Sequence, residues 1–247
     1  MKPVILRPNA TAVARFLSVL ADDLPDGETL DGRSILDCGA GGPVPPVAIF
    51  AQQGMQAHGI DINEQRLAQS RSFCAASGIR AEFRKADMRD LPYGDETFDY
   101  VYEHFSMCHL GPEDTARAIA EMRRVLKPGG LAFLGVISTD SWPMSDYGEE
   151  RRPGEFWLVE GGESVCHTAF GDAASDALVA DWEILSKEKA VLVLRERGEQ
   201  ASLEEWQALH AEARTACSLD EWMAGYPERA NHFTYVHAYY YVRKPIG

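Results

Sequence analysis

The sequence predicts an α/β protein built on a doubly wound, mainly parallel sheet. Between residues 34 and 138, short apolar strand-like runs alternate with helical runs, separated by turns rich in glycine, proline and aspartate. Residues 131–137 form an almost unbroken apolar run, as a strand covered on both faces of a parallel sheet requires. Strands and helices alternating at this length imply right-handed crossovers between parallel neighbours.

The elements follow in order. Asn9 is placed to cap a first helix that carries Val13, Phe16, Leu17 and Leu20 on one face and is closed by Pro25. A strand ends at Ile35-Leu36-Asp37 and runs into the loop Gly39-Ala40-Gly41-Gly42-Pro43. Pro45 and Pro46 then open a helix over 48–53 that stops at Gly54. A second strand is expected over 55–61, a helix over 64–77 ending at Gly78, and a third strand over 81–86. The turn Leu91-Pro92-Tyr93-Gly94-Asp95 leads to a strand over 98–103. Pro112 starts a helix with Ala116, Ile119, Met122 and Leu126 on one face, closed by Lys127-Pro128-Gly129-Gly130.

Beyond Ser138 the alternation stops. Residues 139–170 read as a long loop or small subdomain, and two apolar strands follow over 190–194 and 235–242, the second containing Tyr239-Tyr240-Tyr241. The capping boxes Ser202-x-x-Glu205 and Ser218-x-x-Glu221 predict short helices between those strands, with Leu203, Trp206, His210 and Ala213 at helical spacing. Trp206 and Trp222 are expected to pack those helices. We expect one domain over 1–247, with 1–30 as an N-terminal helical segment and 139–170 and 198–233 as insertions covering a substrate site.

Composition narrows the function. The 247 residues are 45% hydrophobic and 25% charged, enough apolar material for a sizeable core. The formal charge is −14, and residues 139–247 alone carry 20 acidic against 10 basic groups. Such a surface repels phosphate backbones and anionic membranes, so neither nucleic acid nor membrane is an expected partner. No apolar run approaches the length of a bilayer span, and the first residues lack the apolar core of a secretory leader. Cysteines 38, 74, 108, 166 and 217 are scattered, odd in number and without a Cys-x-x-Cys, which fits reduced thiols in the cytoplasm.

The chemistry is expected where the first strand delivers Asp37-Cys38-Gly39-Ala40-Gly41-Gly42 to the carboxyl edge of the sheet. Twenty residues beyond Gly41 the second strand ends in Gly59-Ile60-Asp61, placing a carboxylate where it can accept from both hydroxyls of a ribose. Loop and carboxylate together suggest an adenosine-containing cofactor. A dinucleotide fold would want G-x-G-x-x-G, but Val44 occupies the third glycine position. Pro43, Pro45 and Pro46 also remove N–H donors where a pyrophosphate would sit.

Asp37-x-Gly39-x-Gly41, Asp61, the stretch from Ala86-Asp87-Met88-Arg89-Asp90-Leu91-Pro92 to Phe98-Asp99, and Leu126-Lys127-Pro128-Gly129-Gly130 together resemble the class I S-adenosylmethionine-dependent methyltransferases. Within that class the likeness is to small-molecule enzymes of the ubiquinone/menaquinone-biosynthesis type. It covers residues 30–140, with weaker continuation over 182–194 and 235–243. It implies a Rossmann-like seven-stranded sheet whose last strand is antiparallel, and S-adenosyl-L-methionine as cofactor. By the same resemblance Gly39, Ala40 and Gly41 would touch the methionine part through the backbone, and Asp37 would orient the loop. Asp61, with Ile62 beside it, would hold the ribose hydroxyls; Asp87 would accept from the adenine amino group, with Met88 adjacent. Glu103 and the segment to His109 would lie near the sulfonium methyl.

Methyl transfer from a sulfonium is an in-line displacement with an activated leaving group, so alignment is the main task of the protein. A general base is needed where the acceptor is a weak nucleophile, and His104 and His109 are the candidates. Trp142, Tyr147, Phe156, Trp157 and His167 lie where this family builds a substrate lid. Each serves equally well as a packing residue. His104, Cys108 and His109 lack a zinc ligand spacing, and no metal is expected. The expected activity is methylation of a small molecule. An NAD(P)-dependent oxidoreductase and a non-catalytic cofactor-binding regulator are the alternatives.

Overall fold

A computed structural model describes residues 9–141, 144–160, 162–195 and 232–246. Five strands, β1 (Ser34–Cys38), β2 (Gln56–Asp61), β3 (Glu82–Lys85), β4 (Phe98–Glu103) and β5 (Leu126–Ser138), lie in the order β3-β2-β1-β4-β5, all parallel. The order reverses between β1 and β4, which opens the crevice where ligands bind in sheets of this kind. Strands β9 (Glu183–Arg195) and β10 (His232–Arg243) complete the far side. β10 runs antiparallel to β5 and to β9, so β9 again points with β5. The seven strands therefore carry one antiparallel member, as the resemblance implied.

Helix boundaries follow local chemistry. α1 (Asn9–Asp23) lays Ala12, Val13, Phe16 and Leu20 on the sheet, with the Phe16 ring 5.9 Å from both Tyr102 and Phe133. α2 (Val47–Gln52) is entered through Pro46, already helical in backbone. Asn63 caps α3 (Glu64–Ser77) by accepting from the N–H groups of Gln65 and Arg66, and Gly78 ends it in the left-handed conformation. α4 (Pro112–Val125) places Glu113 and Asp114 in its first turn and Arg123 and Arg124 in its last, matching the helix dipole. α5 (Asp172–Leu178) follows the insertion.

Several expectations needed correction. The segment 126–130, expected as the turn closing α4, belongs to β5, where a register shift opposite Phe98 and a left-handed Gly129 absorb the irregularity. The cause is pairing: Gly129 N–H donates to the Lys244 carbonyl and Lys244 N–H to that of Gly130, so the chain end recruits the turn into the sheet. The strands expected over 190–194 and 235–242 are much longer, because β9 and β10 pair with each other along nearly their whole lengths. Residues 139–170 form a three-stranded antiparallel meander, β6 (Glu149–Arg152), β7 (Glu155–Glu160) and β8 (Glu163–Phe170).

The placement of this meander matters for the site. β10 occupies one edge of β5, while on the other β4 pairs no further than Leu134. β8 takes up the edge that β4 leaves, pairing Ile137 with Ala169 and Ser138 with Phe170. The helices expected from Ser202 and Ser218, with Trp206, Trp222 and Cys217, lie outside the described residues, as does Trp142. No helix among the described residues is long and apolar enough to cross a membrane.

Candidate active site

The crevice is assembled from the carboxyl ends of β1, β2 and β4 and from the loop after β3. Asp37, near the end of β1, is buried and accepts the Val47 N–H at 2.8 Å, so it pins the loop to the start of α2. Burial raises its pKa to about 8, an effect that neighbouring Glu103 and Asp61 reinforce.

The loop after β1 spends its N–H groups on the protein. Gly39 and Ala40 both donate to the Ile60 carbonyl at 2.8 Å, Gly41 donates to Asp61 Oδ2 at 3.0 Å, and Gly42 donates to Arg66 O and Ser70 Oγ. Ser70, buried in α3, also donates toward the carbonyls of Ala40 and Gly42. The carbonyls of Gly39 and Gly41 accept nothing among the described residues. A Cβ on Gly41 would run into the Asp61 carboxylate, and one on Gly39 into the Ser106 side chain, so both glycines are sterically required.

Asp61 also accepts the Asn63 N–H on Oδ1 at 2.7 Å. Each oxygen therefore holds one bond and keeps one lone pair for a ligand. Asp87 accepts from Arg89 Nε and Nη2, and the same guanidinium reaches Asp114 of α4 at 2.5 Å. Hydrogen bonds from Arg89 are the main reason that the Asp87 carboxyl lies below its ordinary pKa.

Glu103 closes the floor. Its side chain is fully buried, Oε1 accepts the N–H groups of Ser106 (3.0 Å) and Met107 (2.7 Å), and Oε2 has no partner among the described residues. Burial pushes its pKa up to about 7. A buried acceptor left open at the end of a strand facing the loop is costly unless a donor or cation arrives there.

The two histidines part company. His109, in the 3-10 turn Met107–His109, places Nδ1 3.0 Å from the Cys166 carbonyl of β8. A carbonyl can only accept, so Nδ1 carries the proton and Nε2 keeps its lone pair. His104 is buried, with Nε2 2.8 Å from the Tyr239 hydroxyl, and burial lowers its pKa to about 3. A cavity of about 260 Å³ brings together Gly39, Asp61, Ile62, Asp87, Met88 and His109; Arg66, Arg89, Ser106 and Leu110 also line it. Asp37, Ala40 and Glu103 stand behind this lining, and His104 lies outside it.

Sequence reasoning gave no role to Ser70 or Arg89. Arg89 follows Asp87 by two residues, a spacing at which aspartate captures nearby donors, and that was its available signal. The aromatic candidates of the insertion divide: Tyr147 and Phe156 are buried in a cluster with Cys108, Ile137 and Ala169, and Trp157 lies beneath the Arg151 guanidinium. Cys38, Cys74, Cys108 and Cys166 are buried. Among the described residues no three metal-ligating side chains converge.

Residues 35–130 match the family model described as a methyltransferase domain. Over 138 residues the chain is 31% identical to the methyltransferase GfsG of Streptomyces halstedii, covering 55% of this chain and 48% of that protein. It is 33% identical to the 27-O-demethylrifamycin SV methyltransferase of Amycolatopsis mediterranei, covering 50% and 44%. The chain thus spans less than half the length of these curated relatives. Among solved structures, a putative methyltransferase from Bacillus halodurans superposes with a TM-score of 0.65 at 20% identity, covering 95% of this chain and 99% of that one. A SAM-dependent methyltransferase from Methanosarcina mazei gives 0.63 at 18%, covering 99% and 100%. At these identities the likeness establishes the fold.

Proposed function

We propose that this protein moves a methyl group from S-adenosyl-L-methionine to a small-molecule acceptor, a reading supported by the match of residues 35–130 to a methyltransferase domain. The observation that carries the reading is the spent donor set of the loop after β1. With the N–H groups of residues 39–42 bonded inside the protein, the loop offers a ligand carbonyls, and carboxylates stand around them. Such a surface recognises ammonium and sulfonium groups and repels a pyrophosphate, which needs free N–H donors. The NAD(P) alternative loses its binding device here, and Val44, at the third glycine position, stands exposed.

When bound, the cofactor supplies a methyl group on a positively charged sulfur. The residues present suit it: Glu103 Oε2 and the carbonyls of Gly39 and Gly41 for the cationic end, Asp61 for the ribose hydroxyls, Asp87 for the adenine amino group, and Ile62 and Met88 for its apolar faces. Asp37 orients the loop through its bond from the Val47 N–H. His109 is placed to remove a proton from an acceptor through Nε2, because Cys166 O fixes its tautomer. The lowered pKa of His104 makes it a poor base, and its place is in the wall.

The relatives named for methylation of natural products support a small organic acceptor. The net charge of −14 supports the exclusion of nucleic acid, and the buried free thiols of Cys38, Cys74 and Cys166 support a cytoplasmic location. Isothermal titration with S-adenosylmethionine and with NAD tests the reading directly. Saturable binding of the first alone is expected; binding of NAD in its place would overturn it. Release of S-adenosylhomocysteine on addition of an acceptor separates catalysis from silent binding.

A further inference from the structure

At the end of β4, beside the cofactor cavity, an aromatic group remains to which no role has been given. Phe105 has φ +65, a conformation that costs a non-glycine residue free energy and concentrates at functional sites. The residue keeps 39% of its surface exposed, while its neighbours His104 and His237 are buried, with ring centroids 4.0 and 4.3 Å away. Tyr239, two residues along β10 on the same face, completes the wall through its hydroxyl on His104.

Two features show that this wall is built for a ligand. His104 Nδ1 is buried with no hydrogen-bond partner among the described residues, and the His237 ring packs edge-on against His104 at 6.1 Å between centroids. Among the described residues the register neighbours add no unpaired charge to the wall: those of His237 are Ile137 and Ala190, and those of Tyr239 are Gly135 and Glu188, whose carboxylate is engaged by Arg15 at 2.6 Å. Gly135 is fitted to the arrangement, since a Cβ there would come within 3.1 Å of the His104 ring. Ser106, the residue after Phe105, packs on Gly39, so the exposed ring adjoins the cationic end of the cofactor site.

We propose that the methyl acceptor is an uncharged planar molecule that stacks on Phe105 and takes an orienting hydrogen bond from the His104–His237 pair. The proposal rests on the methyl-transfer reading and specifies its substrate class. An aromatic face favours a flat π surface. Burial holds both imidazoles neutral, with His104 at about 3 and His237 at about 4, so nothing in the wall rewards a charged acceptor.

The test uses three probes of one skeleton on the full chain saturated with S-adenosylhomocysteine: 2-naphthol, which is flat and neutral; 2-(aminomethyl)naphthalene, which is flat and cationic; and decahydro-2-naphthol, which is neutral and puckered. Titration by calorimetry should show 2-naphthol binding at least tenfold more tightly than the other two. Phe105→Leu, which keeps apolar bulk, should remove at least tenfold of the 2-naphthol affinity, and His237→Phe several-fold, with cofactor affinity within twofold of the parent. Equal binding of the three probes, preference for the amine, or an unchanged 2-naphthol affinity in Phe105→Leu would overturn the proposal. So would a parallel loss of cofactor affinity in that variant, which would make Phe105 a support of the cofactor loop. Failure of the parent chain to bind S-adenosylhomocysteine would instead sink the methyl-transfer reading.

Discussion

Asp61 and Gly41 sit twenty residues apart and are joined by one hydrogen bond, from the Gly41 N–H to Asp61 Oδ2 at 3.0 Å. Through it, the carboxylate assigned to the ribose also sets the path of the glycine loop. Asp61→Asn would turn an amide donor toward an N–H, either at Gly41 or at Asn63. Cofactor affinity should fall by about 1.5–3 kcal/mol, the scale of a hydrogen bond to a charged group, and the melting temperature should fall with it. Calorimetry and a thermal melt on the same preparation check both; a variant that loses neither removes Asp61 from the site.

Glu103 predicts a pH dependence. Its carboxyl titrates near 4.5 when unfolded and at about 7 when folded, so the folded chain binds more protons across that interval. Its contribution to stability is therefore full below about pH 4.5 and declines as pH rises toward 7; Asp37 extends the decline toward 8. A cationic ligand needs the ionised carboxylates, so its affinity should rise over the upper part of the same range. Glu103→Gln should flatten this part of the apo stability profile and weaken the cofactor roughly tenfold or more. Melts from pH 5 to 9, with and without cofactor, distinguish these outcomes.

His109→Gln removes the base and retains a polar side chain of similar reach. Turnover should drop by about 10²–10⁴ for an acceptor that must lose a proton, while cofactor affinity stays nearly unchanged. If kcat and cofactor affinity decline together, His109 is a wall of the cavity and not a base.

Arg89→Ala separates stability from recognition. Its ion pairs are partly exposed, so the loss of fold stability should be about 1 kcal/mol or less. The Asp87 carboxylate, freed of the guanidinium, would lose its fixed orientation and rise toward its ordinary pKa. Cofactor affinity should fall several-fold, and the discrimination between adenosyl and inosyl forms of the cofactor product should narrow. Unchanged discrimination would show that Asp87 does not read the amino group.

The residues proposed for the cofactor could be nominated from the sequence because their signals are local. Each of Asp37, Gly41, Asp61 and Asp87 lies at a strand end or turn that hydrophobic rhythm and glycine punctuation mark out. Boundaries of α3 and β4 emerged as expected for the same reason, with Asn63 and Gly78 as explicit caps. The acceptor half was not legible. The union of His104 with Tyr239 spans 135 positions, and that of His109 with Cys166 spans 57, and neither leaves a periodic trace. The first strand of the meander was hidden because β6 is short, entirely charged and exposed. Arg89 was overlooked because it lies in a turn and its partner Asp114 stands 25 positions away on α4.

The attachment of β8 has a consequence for diversification. Within the sheet, β8 joins β5 through two register pairs, apart from the strand ends that carry the adenosyl half. Yet the same strand lends the carbonyl that decides which nitrogen of His109 stays bare. Any exchange of that strand alters, in one step, both what fits the chamber and which acceptors can be deprotonated there.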